Sequence, residues 1–97
     1  MKIVKGKLIS VSESDLEGCV FYNDKVIEVG DGCFNEMPSL KKLILPNATT
    51  FGRDCLSYNQ ALTTVDLPNA TTFGSDCLRS NQALTTVDLP NATTFGS

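Results

Sequence analysis

From Leu45 onward the chain repeats itself. Leu45–Asp66 reads LPNATTFGRDCLSYNQALTTVD, and Leu67–Asp88 reads LPNATTFGSDCLRSNQALTTVD. The two copies differ only at Arg53/Ser75, Ser57/Arg79 and Tyr58/Ser80, and a third begins at Leu89 and runs to Ser97. A period of 22 residues is too short for a self-standing domain. It suits one coil of a solenoid, whose apolar face is buried only when neighbouring coils stack on it. The expected fold class is therefore a repeat solenoid, predominantly β, with short parallel strands on two walls and single helical or 3₁₀ turns between them.

Within a copy the pattern is L-x-x-V-x-L-P-x-A-x-x-F-G-x-D-C-L. Val65-Asp66-Leu67 alternates apolar and polar, the mark of a strand with one face buried. The preceding Thr63 and Thr64 are β-branched and favour the pleat. Pro68 lacks a donor and ends the strand. Ala70-Thr71-Thr72-Phe73 reads as a second extended segment on the opposite wall. Gly74 offers a turn with positive φ, and Asp76 offers a cap for one helical turn at Cys77-Leu78. The inward set is Leu40, Leu43, Leu45, Ala48, Phe51, Cys55, Leu62, Val65, Leu67, Ala70, Phe73, Cys77, Leu84, Val87 and Leu89.

Residues 1–28 do not repeat and are expected to form an atypical N-terminal capping unit, with the 22-residue repeats over 29–97 and the last one incomplete. Ile3-Val4, Leu8-Ile9-Ser10-Val11 and Val20-Phe21-Tyr22 read as three short strands. Ser12-Glu13-Ser14-Asp15 reads as a polar connection and Asp15-Leu16-Glu17-Gly18 as one helical turn.

These residues resemble the bacterial surface-antigen type of leucine-rich repeat, called BspA-like, whose repeat runs roughly L-x-x-I-x-L-P-x-x-[small or apolar]-x-x-I-G-x-x-A-F. Leu62-Thr-Thr-Val65-Asp-Leu67-Pro68 and Phe73-Gly74-Ser-Asp-Cys77-Leu78 fill that pattern. Val26-Ile27-Glu28-Val29-Gly30-Asp31-Gly32-Cys33-Phe34 looks like the usual opening rung, and Val4-Lys5-Gly6-Lys7-Leu8 to Gly18 like the lead-in before it. Two departures stand out. Cys takes the place of the commoner Ala, and Ala48, Ala70 and Ala92 stand where better-known leucine-rich repeats carry Asn, so an Asn ladder is expected to be absent. The resemblance implies an interaction protein at a cell surface or secreted.

The chain has 97 residues, a formal net charge of −3 and no His. That balance argues against an electrostatic nucleic-acid binder. No apolar run approaches a membrane span, and the N-terminus lacks the uninterrupted apolar region of a secretory signal. Without His the usual base of a Ser or Cys triad is missing. There is no phosphate loop or dinucleotide fingerprint. No catalytic residue, cofactor or metal is expected.

Four groups of side chains could nonetheless carry chemistry. Cys33, Cys55 and Cys77 recur at a core-facing position and match no zinc spacing. Parallel side chains point the same way, so they read as buried free thiols, while Cys19 lies off this ladder and reads as the exposed one. Asn47, Asn69 and Asn91 each begin Asn-Ala-Thr, a glycosylation pattern that here reads as turn chemistry. Asp66 and Asp88 stack on the open face beside Thr64 and Thr86, with Lys42 and Ile44 continuing the columns. Such a stack suits a cation or a basic partner, or is simply a solvated pair of carboxylates. The variable positions Arg53/Ser75 and Ser57-Tyr58/Arg79-Ser80 read as solvent-facing.

The functional expectation is a non-enzymatic interaction module for a protein or glycan partner. The alternative is a structural, self-assembling fragment of a longer surface protein. The apolar residues of the last rung, Leu84, Val87, Leu89, Ala92 and Phe95, form the expected interface of a homo-oligomer joined at its C-terminal end.

Overall fold

A computed structural model describes residues 1–77, 81, 86–88, 90 and 94–95. The chain winds as a β-solenoid between two sheets. One sheet holds β1 (Lys2–Val4), β2 (Lys7–Ser10), β4 (Glu28–Val29), β6 (Thr50–Phe51), β8 (Thr72–Phe73) and β10 (Thr94–Phe95), adjacent in that order. The other holds β3 (Val20–Tyr22), β5 (Lys42–Ile44), β7 (Thr64–Asp66) and β9 (Thr86–Asp88). Every pairing is parallel except β1 with β2. The 22-residue period is the physical step from one coil to the next, so Phe51 pairs with Phe73 and Leu43 with Val65.

The strands exist because alternate residues enter one core. Leu8, Val29, Phe51 and Phe73 enter it from the first sheet, and Phe21, Leu43 and Val65 from the second, all almost fully buried. Leu40, Leu45, Ala48, Cys55, Leu62, Leu67, Ala70 and Cys77 join it, as the repeat pattern requires, and Val26, Cys33, Phe34, Met37 and Leu56, which the inward set lacked, complete it. Columns of like residues give close contacts. The Phe51 and Phe73 rings stack with centroids 4.8 Å apart and planes 15° apart, while Phe21 and Phe34 meet edge to face at 5.1 Å.

The lead-in follows the same path without the same letters. β2 lies parallel to β4 with Leu8 beside Val29, and β3 lies parallel to β5 with Phe21 beside Leu43. Only β1 reverses direction. Lys5 (φ 50°) and Gly6 (φ 81°) turn it into β2, the two left-handed central residues that a tight hairpin needs. The helical turn falls earlier than the sequence implies, at Glu13–Asp15. The reason is local: the Asp15 carboxylate accepts from the Ser12 backbone N–H at 2.9 Å and closes the turn. It also pairs with the Met1 ammonium at 2.9 Å. Among the described residues this is the only helical element.

The third side of each coil differs from expectation. Asp76 is not a helix cap. Asp54 and Asp76 are themselves left-handed (φ 52° and 57°), matching Gly32 (φ 67°) one coil earlier, whereas a capping residue is extended. The backbone donors here point across to the next coil: Phe34 N–H to the Cys55 carbonyl at 2.8 Å and Leu56 N–H to the Cys77 carbonyl at 3.0 Å. A helix would use those donors on carbonyls four residues back. Gly74 is not left-handed either. Its role is close approach, since a Cβ there would lie 2.7 Å from the Gly52 carbonyl carbon.

An Asn ladder does exist, at a position other than the one where its absence was expected. The Asn59 side chain is fully buried. Its Oδ1 accepts from Met37 N–H at 2.7 Å, and its Nδ2 donates to the Leu56 carbonyl at 3.1 Å. Asn81 repeats the acceptor half, its Oδ1 accepting from Asn59 N–H at 2.8 Å, while its Nδ2 reaches back one coil to the same Leu56 carbonyl at 2.7 Å. A buried backbone donor needs a partner, and the amide supplies it wherever the turn leaves one unpaired.

Candidate functional site

The outer face of the second sheet carries two columns. Register aligns Val20, Lys42, Thr64 and Thr86 in one, and Tyr22, Ile44, Asp66 and Asp88 in the other. Neighbours in a column lie about 4.8 Å apart along the sheet. The residues between them, Phe21, Leu43 and Val65, are buried. Alternation therefore turns the columns outward: Lys42 is exposed, and Ile44, Thr64 and Asp66 are half-buried. For Thr86 and Asp88 the structure describes register alone. Among the described residues no ion pair engages Lys42 or Asp66, so the face offers a free cation beside an acidic column.

Two residues of this face, Val20 and Tyr22, were missed by sequence reasoning. Tyr22 heads the Ile44–Asp66–Asp88 column and is 59% exposed. The signal was present, because Tyr22 precedes Ile44 by one repeat length and follows an inward Phe21. A large exposed aromatic beside Ile44 gives the face an apolar end and an acidic end.

The cysteines divide into three environments. Cys19 is half-buried, with φ 67°. Cys33 is buried and its thiol donates to the Leu8 carbonyl at 3.2 Å and the Ile9 carbonyl at 3.4 Å. Burial pushes that thiol up from its ordinary range. Cys55 and Cys77 are buried free thiols as expected, but they do not simply point in parallel. Their sulfur atoms meet at 2.9 Å, because the two residues stand one coil apart in turns that the backbone holds in contact. The bond shared with Cys77, and burial after it, push the Cys55 thiol strongly up.

Asn47 and Asn69 act as the turn chemistry expected of them. Asn47 Nδ2 donates to the Asp24 carbonyl at 2.8 Å and Asn69 Nδ2 to the Pro46 carbonyl at 2.7 Å, each crossing to the previous coil. Asn91 lies outside the described residues. Of the variable turn positions, Arg53 and Tyr58 are exposed and Ser75 is half-buried, but Ser57 is fully buried. Its hydroxyl donates to the Asp54 carbonyl at 3.0 Å, so a small hydroxyl can be covered where a charge could not. Arg79 and Ser80 lie outside the described residues. On the same side of the coils an open groove is lined by Asp31, Gly32, Asn35, Arg53 and Asp54, where Asp31 Oδ1 is already engaged by Arg53 N–H at 2.9 Å.

Of the expected oligomer interface, Leu84, Leu89 and Ala92 lie outside the described residues, and Phe95 is described only as part of β10. Val87 is 44% exposed, whereas Leu43 and Val65 in its column are fully buried. Among the described residues no helix is long and apolar enough to cross a membrane, and no group of three or more His, Cys, Asp or Glu is placed to hold a metal ion.

Parallel 22-residue coils, glycine stacking and a leucine-rich core agree with the comparison to known families, in which the model described as "BspA type Leucine rich repeat region (6 copies)" matches residues 4–97. The chain belongs to the BspA-type leucine-rich repeat family. No curated protein and no solved structure matches it. The family match reaches back to residue 4, in keeping with a lead-in that already follows the solenoid path.

Proposed function

We propose that this BspA-type repeat is a non-enzymatic interaction module that works at a bacterial cell surface and binds a protein or glycan through the outer face of its second sheet. The observation carrying this reading is the register that lines up Tyr22, Ile44, Asp66 and Asp88 beside Lys42, Thr64 and Thr86. Strands paired on both sides, as β5 and β7 are, lose little entropy on binding, and an aromatic anchor beside polar groups is the composition of an interface centre. The Tyr22 ring suits a sugar face or an apolar side chain, and the Asp66 column suits hydroxyls or a basic group.

The test is a glycan array and a panel of purified extracellular proteins probed with three variants. Binding should fall at least about tenfold, the equivalent of ~1.4 kcal/mol, in Tyr22→Ala and Asp66→Lys. It should persist in Thr50→Lys, on the opposite sheet. A ligand lost only with Thr50→Lys would place the site on the other wall.

A second reading, self-association through the last rung, is favoured by Val87, which holds a core position and is 44% exposed. Another coil or another copy of the chain would cover it. Phe95→Lys should then shift a light-scattering mass toward one chain. A wild-type mass of one chain at high micromolar concentration would remove this reading.

A further inference from the structure

We propose that Cys55 and Cys77 form an oxidisable pair, a disulfide site that clips two consecutive coils of the solenoid together. The two sulfur atoms stand 2.9 Å apart across one repeat. A disulfide needs about 2.05 Å, so less than about 1 Å of side-chain movement separates the thiols from the bond. The backbone already holds the two residues side by side through Leu56 N–H to the Cys77 carbonyl at 3.0 Å. The pairing is selective. Cys33 occupies the same column one coil earlier, but its thiol is turned to the Leu8 and Ile9 carbonyls. Cys19 lies in the lead-in, outside the column. Nothing in the interaction reading above uses these two thiols.

The oxidant is a small-molecule disulfide such as oxidised glutathione. One cysteine gives its proton to solvent, and its thiolate attacks one sulfur of the oxidant, releasing the first thiolate. The second cysteine loses its proton, attacks the protein sulfur of the mixed disulfide and releases the second thiolate. The leaving thiolates take up two protons from solvent in exchange. One protein disulfide forms, two cysteines are oxidised, and one small disulfide is reduced to two thiols. Cys55 is 0% and Cys77 4% exposed, so the exchange proceeds through local opening of the turn. Once closed, the bond is shielded from reductant by the same burial.

The experiment incubates the reduced full chain with oxidised glutathione, blocks remaining thiols, and cleaves at aspartates, which lie between the two cysteines at Asp66 and Asp76. The expected product is a chain lighter by two hydrogens, with the peptide of Cys55 joined to that of Cys77 and with Cys19 and Cys33 alkylated. Its melting temperature should rise by on the order of 10 °C, since the bond closes a loop of one repeat. Cys77→Ser and Cys55→Ala should each abolish both the link and the rise. Folding of these variants is checked by the circular dichroism of the reduced proteins. If native incubation leaves the thiols untouched, refolding in the same oxidant decides. Four free thiols after refolding, a lasting glutathione adduct, or a link through Cys33 would overturn the proposal.

Discussion

The lead-in coil and the repeat coils follow one path with different means. In the lead-in, Leu8 and Phe21 enter the core where Val29, Phe51 and Phe73, and Leu43 and Val65, enter it later. That is all the walls require: one apolar residue on alternate sides of a pleat. The turns are another matter. The repeats join coils with amides, Asn59 and Asn81 inside and Asn47 and Asn69 outside. The first coil has Met37 at the ladder position, and the lead-in before it uses a hairpin, one 3₁₀ turn and an ion pair to Met1. Walls tolerate any sequence with the right alternation, whereas turns must answer for each unpaired backbone donor.

The comparison breaks most readily in the core. Phe73→Ala should cost ~3–5 kcal/mol, because it removes a ring packed on Phe51 and leaves a cavity between coils. Leu8→Ala in the lead-in should cost ~2–5 kcal/mol by the same mechanism. Denaturant titration of both variants tests whether the two regions share one core. A loss at Phe73 without one at Leu8 would show that the lead-in is a separate layer.

Asn59→Ala probes the turns. It strands the Met37 N–H in the interior and should cost about 1–3 kcal/mol. Asn47→Ala, on an exposed bond, should cost about 1 kcal/mol or less. Equal losses by chemical denaturation would mean that burial of the ladder contributes nothing beyond the bonds themselves.

Gly74→Ala tests stacking in the repeats, where the added methyl must displace the backbone of the previous coil. An overpacking loss of about 1–3 kcal/mol is expected. Gly18→Ala tests the lead-in, where a Cβ would meet nothing within 4 Å and φ of 58° is the only obstacle; about 1 kcal/mol is expected. Thermal melts of the pair would sharpen the distinction between contact and conformation.

The smallest effect belongs to Thr64→Ala on the open face, within about 0.5 kcal/mol. A melt indistinguishable from wild type, combined with altered binding on the array, would separate the face from the fold. A loss approaching that of Phe73→Ala would mean that the faces are reversed.

The coil length, the two walls, the parallel stacking of the repeats and the inward residues from Leu40 to Cys77 that the pattern names were determined by the sequence alone, whereas the burial of Phe34, Met37 and Leu56 was not. A strict 22-residue period with alternating apolar positions admits only one way to bury them together. The columns of Lys42, Thr64, Ile44 and Asp66 followed directly, because register in a parallel stack is the period itself. Tyr22 was legible by the same rule once its strand was accepted. The turns were decided only by the tertiary structure. Whether Gly74 is there for its φ or for contact, and whether Asp76 caps a helix or takes a left-handed conformation, depends on where the carbonyls of the adjoining coils lie. So do the burial of Ser57 and Asn59 and the convergence of Cys55 on Cys77. Backbone donors and sulfur atoms are directional, and their partners sit one coil away, so periodicity can place the residues but not aim them.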